Sequence, residues 1–383
     1  MQVTYAFETA EHQQFRKSFR KFLEAEIAPH YAKWDKEGAI PFSMWKQMGD
    51  MGYLCPQVEE VYGGLGLDYV YNVIIAEELE RVGSGLMGFG LHSDIIVPYV
   101  EKFGNASQKE RWLPGCVRGD IITAIAMTEP GVGSNLAGVQ TTAVKDGDHY
   151  IVNGSKTFIS NGLYSNIIIT VVSTDKAAGH KGISLLVIEE GTEGFTRGRA
   201  LEKVGQHAQD TAELFFDNCR VPVENLLGEE GQGFYYLMQN LQPERLGVAI
   251  ASVIAMEDML AHTTAYVKER HAFGQPISHF QNTQFALAEM ATTIEMGRTF
   301  VEKLIQRHMN GDNIVTEVSM AKYRLSEQAR DMAAQCMQLH GGYGFMEEYK
   351  IARRYRDVAV FPIYAGTNEI MKTIIAKNLK LTN

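Results

Sequence analysis

The hydrophobic period of this chain changes twice along its length. Apolar residues recur at helical spacing to about residue 120, shift to short β-rich runs from about 121 to 230, and return to helical spacing over 231–383. A side-chain period of 3.6 cannot sit as a strand, nor a period of 2 as a helix. The order α, β, α is therefore the firmest constraint on the fold, and 383 residues exceed what one core organises. The expectation is an α+β architecture with an N-terminal helical domain (1–120), a middle antiparallel β-domain (121–230) and a C-terminal helical domain (231–383).

Within the first region Phe15, Phe19, Phe22 and Leu23 fall on one helix face, a core stripe. Turn signals follow at Pro41, Gly49, Gly52 and Gly63–Gly66. A helix near 70–82 should stop at Gly83, and another should run from Ser93 to Lys102 and stop at Gly104. In the middle region Asp146-Gly147 joins two β-rich runs, a hairpin signal, and Ile167–Val172, Ile183–Ile188 and Glu213–Phe216 read as further strands. Helical stretches are expected at 233–269, 281–309 and 313–341.

Net charge is −10, from 36 basic and 46 acidic residues, and no basic stripe offers a nucleic-acid footprint. Cys55, Cys116, Cys219 and Cys336 lie too far apart in sequence to suggest a zinc site or disulfide framework, so no metal is expected. Residues 1–12 carry no apolar signal core, and Asn166–Val172 is too short to cross a bilayer. These features lead to the expectation of a cytoplasmic protein without stable membrane insertion.

A literal G-x-G-x-x-G spans Gly83 to Gly88, but it follows a helical pattern rather than a strand and reads as a helix stop and loop. No G-x-S-x-G elbow, H-E-x-x-H pair or P-loop is present, and the eleven histidines do not cluster. Four other segments carry glycine, hydroxyl or aromatic residues at element ends: Met127–Ser134, Gly154–Gly162, Arg270–Gln275 and Gln338–Gly342. Their backbone N–H groups and hydroxyls suit a polar heterocycle or a pyrophosphate, although each alone is equally a turn or a cap. On residues alone Glu244 is a solvent-exposed helix acid beside Arg245, with Pro243 marking a first helical turn.

Taken in order, Ala126–Ser134, Gly154–Gly162, Arg270–Phe280, Gln338–Phe345 and Pro362–Glu369 make the chain similar to the acyl-CoA dehydrogenase family over essentially its whole length. The resemblance implies a C-terminal four-helix bundle, FAD as cofactor, an acyl-CoA substrate, a homotetramer built as a dimer of dimers, and an electron-transferring flavoprotein as acceptor. It implies that Met127, Thr128 and Ser134 line the flavin, that Phe158 flanks the ring and that Ser160 reaches its N5 edge. Arg270, Phe273 and Gln281 would hold the pyrophosphate and adenosine, with Gln338, Gly341 and Gly342 doing so from a neighbouring subunit, and Thr367 and Glu369 would also touch the cofactor. Substrate contacts would come from Ser134, Arg245, Tyr364, Gly366 and Gly90.

One position departs from the family's commonest pattern. Many members carry the catalytic acid in Tyr-Glu-Gly-Thr, where this chain has Tyr364-Ala-Gly-Thr367. The long-chain and isovaleryl-CoA members instead place it on the first long helix of the C-terminal domain, before an arginine, as in Pro243-Glu-Arg-Leu246. The resemblance thus makes Glu244 the base for the pro-R α-proton, with hydride passing to flavin N5 and a trans-2-enoyl-CoA as product. The backbone N–H of Ala365 would serve the thioester oxygen. Burial would raise the Glu244 pKa and Arg245 would lower it, leaving the net direction open. Gly85, Gly88 and Gly90, read as leaving a deep channel, favour medium-to-long or methyl-branched chains, as do Ala208–Phe216 and Gly233–Tyr236. Isovaleryl-like and citronellyl-CoA-like substrates stay open, as does a non-catalytic acyl-CoA- or flavin-binding homologue. A bacterial source is also expected.

Overall fold

A computed structural model describes residues 4–381. Helix α1 (Ala10–Phe22) starts where the Thr9 hydroxyl accepts from the His12 N–H, relieving one of the free donors at a helix start. It runs through one π-helical turn into α2 (Ala28–Glu37), and α3 (Phe42–Asp50) and α4 (Tyr69–Val82) follow. Phe19, Phe22 and Leu23 are buried with Trp45 and Trp112, as the aromatic stripe requires. Next come α5 (Met87–Gly90), a π-helical stretch Leu91–Ile96, α6 (Val97–Phe103) and α7 (Ala106–Val117).

Helical backbone therefore begins at Met87, six residues before the expected Ser93, and two glycines sit inside it. Packing explains Gly88 inside the helix and Gly85 just before it, but not Gly90. A Cβ on Gly88 would lie 2.3 Å from Gln209 Oε1 and 2.7 Å from Asn161 Oδ1, and one on Gly85 would lie 2.7 Å from the Tyr31 hydroxyl. These glycines do not open a deep channel; neighbouring side chains fill the space. Gly90 alone of the three has room, its nearest neighbour being Asp94 Oδ2 at 3.5 Å.

The middle region holds β1 (Thr123–Ala126), β2 (Thr142–Asp146), β3 (His149–Ser160), β4 (Ile167–Ser173), β5 (Ile183–Glu189), β6 (Phe195–Ala200) and β7 (Thr211–Pro222). They form one sheet in the order β1-β4-β2-β3-β7-β6, with β5 on β4. The β2–β3 hairpin turns on Gly147, whose φ of 62° is the left-handed conformation that favours glycine. The sheet is mainly antiparallel, but β1 pairs parallel with β4 in the register Thr123↔Ile167. Intervening β2 and β3 supply the crossover that a parallel pair needs. β6, which carries Arg197 and Arg199, lies at one end of the strand order.

The C-terminal region comprises α8 (Gly233–Glu269), a two-residue ladder β8 (His271–Ala272) and β9 (Gln275–Pro276), α9 (Gln281–Met309), α10 (Val315–His340), α11 (Lys350–Asp357) and α12 (Asn368–Asn378). Helices α8, α9 and α10 pack around Ile254, Met259, Val301, Leu304, Ala329 and Ala333, and α12 lies against α10. Among the described residues α8 is the one helix apolar and long enough to cross a membrane, yet most of its apolar side chains are packed into the core. Pro243 does not start this helix. It lies inside it, where it removes a backbone donor one residue before Glu244. Buried ion pairs fasten the helical regions together. Arg354 reaches Glu80 at 2.6 Å and Asp258 at 2.7 Å, and Glu77 accepts from Arg16 at 2.7 Å and Arg298 at 2.6 Å.

Candidate active site

Helix α8 carries Glu244 and Arg245 inward, half-buried and buried respectively. Burial is the largest influence on the Glu244 carboxyl and raises it; Arg245 and Lys322 pull it back, leaving it pushed up to about 7. That settles the direction left open by the sequence. The Tyr99 hydroxyl from α6 and the Tyr364 hydroxyl are both held well above the usual range, by burial first and in part by the Glu244 charge. Arg245 is 5% exposed and has no carboxylate within ion-pair reach among the described residues, and its Nε is buried without a partner. A cation so placed is costly unless an electron-rich group meets it.

Facing Arg245 is the turn before α12. Ala365 and Gly366 both adopt left-handed backbone, at φ 55° and 85°, and a Cβ on Gly366 would lie 3.9 Å from Arg245 Nη2. Alanine occupies that region at a cost, and such strain collects at functional sites. The Tyr364 N–H donates to Val360 and the Asn368 N–H to Pro362, whereas those of Ala365 and Gly366 donate to no backbone carbonyl among the described residues. Thr367 caps α12, its hydroxyl accepting from the Ile370 N–H, and Glu369 points to solvent.

A second group of expected residues gathers where two loops meet. The Thr157 N–H donates to the Thr128 carbonyl at 2.9 Å, bringing Met127 and Thr128, both half-buried, beside Phe158 and Ser160. Phe158 takes a φ of 60° and is 69% exposed, an apolar ring turned out of the sheet. The backbone at Gly131 and Gly133 is open, with no atom within 4 Å of a would-be Cβ, and Ser134 beyond them is exposed. Beneath the loop Glu129 accepts from Lys156 Nζ at 2.9 Å and from the N–H groups of Gln140 at 2.7 Å and Thr141 at 2.9 Å. Burial alone would raise this carboxyl, but those hydrogen bonds and the lysine bring it below its ordinary value.

The third group lies elsewhere. Arg270 stacks over the Tyr343 ring at 5.5 Å, and Tyr266 donates to the His340 carbonyl at 3.0 Å, so Arg270 and the segment Gln338–Gly342 form one patch on one chain. Phe273 is 95% exposed at φ 51°, Gln281 and Gln338 are exposed, and Gly341 and Gly342 face open space. At a rise of about 1.5 Å per residue, α8 puts Arg270 roughly 40 Å from Glu244. The third group is therefore not brought to Glu244 within a single chain.

Several residues at the site carry no signal in the sequence. Lys322 on α10 is fully buried and donates to the Gly366 carbonyl at 2.7 Å and to Asn368 Oδ1 at 3.1 Å. Asp94, beside Gly90, accepts from the Asn72 amide at 2.7 Å, and burial pushes it up to about 7. Gln209 donates to Asn161 Oδ1 at 2.8 Å and packs on Gly88, coupling the sheet to the helix that carries Gly90. A lysine at a helical position ordinarily reads as solvent face, so only packing could reveal Lys322. Lys156 lies within Gly154–Gly162, where the aromatic ring and the hydroxyls are the stronger signal. Among the described residues no group of three or more His, Cys, Asp or Glu side chains is arranged to hold a metal.

Comparison with known proteins bears on all three regions. The profile of the acyl-CoA dehydrogenase N-terminal domain matches residues 9–120, that of the middle domain 124–219 and that of the C-terminal domain 231–380. The long-chain specific acyl-CoA dehydrogenase of Sus scrofa mitochondria is 47% identical over 97% of this chain and 87% of its own length. The mitochondrial isovaleryl-CoA dehydrogenase of Arabidopsis thaliana is 37% identical over 96% of this chain and 90% of its own. The crystal structure of acyl-CoA dehydrogenase from Geobacillus kaustophilus superposes with a TM-score of 0.97 at 61% identity, covering 98% of this chain and 100% of that one.

Proposed function

The chain belongs to the acyl-CoA dehydrogenase family, an oxidoreductase family of flavoproteins, and on that premise we propose that it oxidises a medium-to-long or methyl-branched acyl-CoA to the trans-2-enoyl-CoA with Glu244 as base. The observation that carries the reading is the half-buried Glu244 carboxyl, pushed up to about 7, next in sequence to Arg245, which faces the Ala365–Gly366 turn, whose N–H groups donate to no backbone carbonyl among the described residues. A base works best when its pKa approaches the working pH. Removing an α-proton from a thioester puts charge on the carbonyl oxygen, and a preset N–H at Ala365 would receive it. Arg245, buried and in no ion pair among the described residues, adds positive potential to the same place.

The residues fit FAD as the cofactor. Met127, Thr128, Phe158 and Ser160 offer hydroxyls and an outward aromatic ring, and the open backbone at Gly131 and Gly133 leaves room for a close approach. When bound, FAD would supply the two-electron acceptor that such an oxidation needs. Arg270, Phe273, Gln281 and Gln338–Gly342 would hold the pyrophosphate and adenosine together from a second chain, since α8 carries them out of reach of their own Glu244. That makes a dimer the smallest complete unit, and we infer a homotetramer that acts in the cytoplasm and passes electrons to an electron-transferring flavoprotein. The long-chain relative at 47% identity supports the substrate range, and the space at Gly90 is compatible with it.

Glu244→Gln is expected to bind FAD and acyl-CoA but not to bleach the flavin on anaerobic mixing. Bleaching at the wild-type rate would remove Glu244 from the mechanism. Adding Ala365→Glu in that background tests whether the pocket can be served from the opposite side. Comparing kcat/KM from butyryl- to stearoyl-CoA, straight and methyl-branched, would fix the substrate. A preference for butyryl-CoA would overturn the chain-length reading.

A further inference from the structure

Beneath the Ala365–Gly366 turn lies a closed polar cluster drawn from two helices. Lys322 and Ser326, one helical turn apart on α10, are 0% exposed, and Asn368 at the start of α12 is 3% exposed. Lys322 Nζ donates to the Gly366 carbonyl at 2.7 Å and to Asn368 Oδ1 at 3.1 Å. The Asn368 amide donates to the Tyr323 carbonyl at 3.2 Å and to Ser326 Oγ at 3.1 Å. Burying an ammonium is expensive, and the ion pairs of the structure do not include Lys322 among the described residues. What the ammonium does hold is a carbonyl in a turn where, among the described residues, two successive N–H groups donate to no backbone carbonyl.

We propose that Lys322 is a positioning residue for the reaction, clamping the Gly366 carbonyl through the Lys322–Asn368–Ser326 cluster so that the Ala365 N–H stays aimed at the substrate carbonyl while its charge biases Glu244 toward the ionised form. This rests on the assignment of Glu244 and Ala365 above. The two roles share one ammonium. Pinning the Gly366 carbonyl sets the peptide plane that follows Gly366 and, with the left-handed pair, the path of the chain at Ala365. The charge acts on Glu244 jointly with Arg245 of its own helix, while Tyr99 and Tyr364 are the other titratable groups that sense the carboxylate. Lys322 itself is influenced by Arg245, Glu369 and Glu244, and burial brings it down to about 8.

The test compares Lys322→Met, Lys322→Arg and Asn368→Ala in the flavin-loaded enzyme. For each variant, flavin-to-protein absorbance ratio, Tm, kcat, KM and the pH profile of kcat/KM are measured. Lys322→Met is expected to keep its flavin ratio and KM while kcat falls on the order of 10²-fold, as when a reacting group is misaligned or an oxyanion donor is lost. The acidic limb of its profile should move up by roughly one unit as an opposite charge is removed. Lys322→Arg keeps the charge, so its limb should stay in place even where kcat is only partly rescued. Asn368→Ala loosens the clamp without changing charge and should lower kcat with the limb unmoved. Wild-type kcat with an unmoved limb in Lys322→Met, or a loss fully accounted for by missing flavin, overturns the proposal. Should Lys322→Met fail to accumulate, Asn368→Ala decides, and wild-type kcat there overturns it too. Glu244→Gln run alongside separates the layers. If it bleaches flavin normally the parent assignment has failed, and if it does not while Lys322→Met behaves as wild type, only the clamp has failed.

Discussion

Glu244 is pulled two ways by its position. It must be ionised to accept a proton, yet the surroundings that suit it to that task disfavour its charge. Its carboxyl rises from an ordinary 4.5 to about 7 in the folded chain. A group raised in this way contributes stability that is fully present below about 4.5 and is lost as pH climbs through about 7. Glu244→Gln is therefore expected to be more stable than wild type at pH 8, by roughly 1–3 kcal/mol, with the advantage shrinking as pH falls toward 5. Thermal unfolding at the two pH values measures this, and a Tm at or below wild type at pH 8 contradicts it. In the active enzyme kcat/KM should rise with pH through about 7 and then level off, because only the carboxylate is competent. Glu244 can be singled out in the sequence because Ala365 removes the alternative site for a base. Its partners are not legible there. Lys322 and Asn368 become a unit only when α10 and α12 pack, and neither carries a local signal of burial.

Elements are most legible where one local signal dominates. The Asp146-Gly147 turn names its hairpin because few residues but glycine accept the backbone at 147. The strands Ile167–Ser173 and Ile183–Glu189 are buried along nearly their whole length and show it as apolar runs. By contrast β6 is a strand only because β7 lies beside it, and its alternating arginines hide it. The helical start at Met87 is hidden because glycine is a poor helix former, and here tertiary packing overrides that propensity. A pair of substitutions distinguishes the two kinds of glycine in it. Gly88→Ala must displace Gln209 or Asn161 and should cost roughly 1–3 kcal/mol, read as a lower Tm. Gly90→Ala meets nothing closer than 3.5 Å, so its Tm should hold or rise slightly. If Gly90 borders the acyl chain, the same change should shift kcat/KM toward shorter substrates. Equal Tm values for the two variants would show that the contact at Gly88 is not decisive.

At the scale of the whole molecule, the α–β–α order is visible from periodicity alone, and the assignment of the two cofactor segments is not. The family resemblance implies that Arg270 and Gln338–Gly342 act from different chains, and nothing in the residues themselves shows the two segments as neighbours. The structure sets Arg270 over Tyr343, so the segments would act together. Exposed Phe273, Phe285, Met296 and Phe345 leave the C-terminal region with unusually large apolar side chains in water, as expected of a face that meets another copy. The length of α8 then allows a form of mutual aid between defective chains. On the proposed reading each chain would lend its far end to a partner's pocket and borrow the partner's far end for its own. A chain with Glu244→Gln still has a sound Arg270 to lend, and a chain with Arg270→Ala still has a sound Glu244. Neither variant should turn over by itself. Unfolded together and refolded as a mixture, they should regain activity, because in every mixed pair one pocket receives both intact halves while the other receives both lesions. Activity in the mixture no greater than in the separate preparations would mean that each chain completes its own pocket.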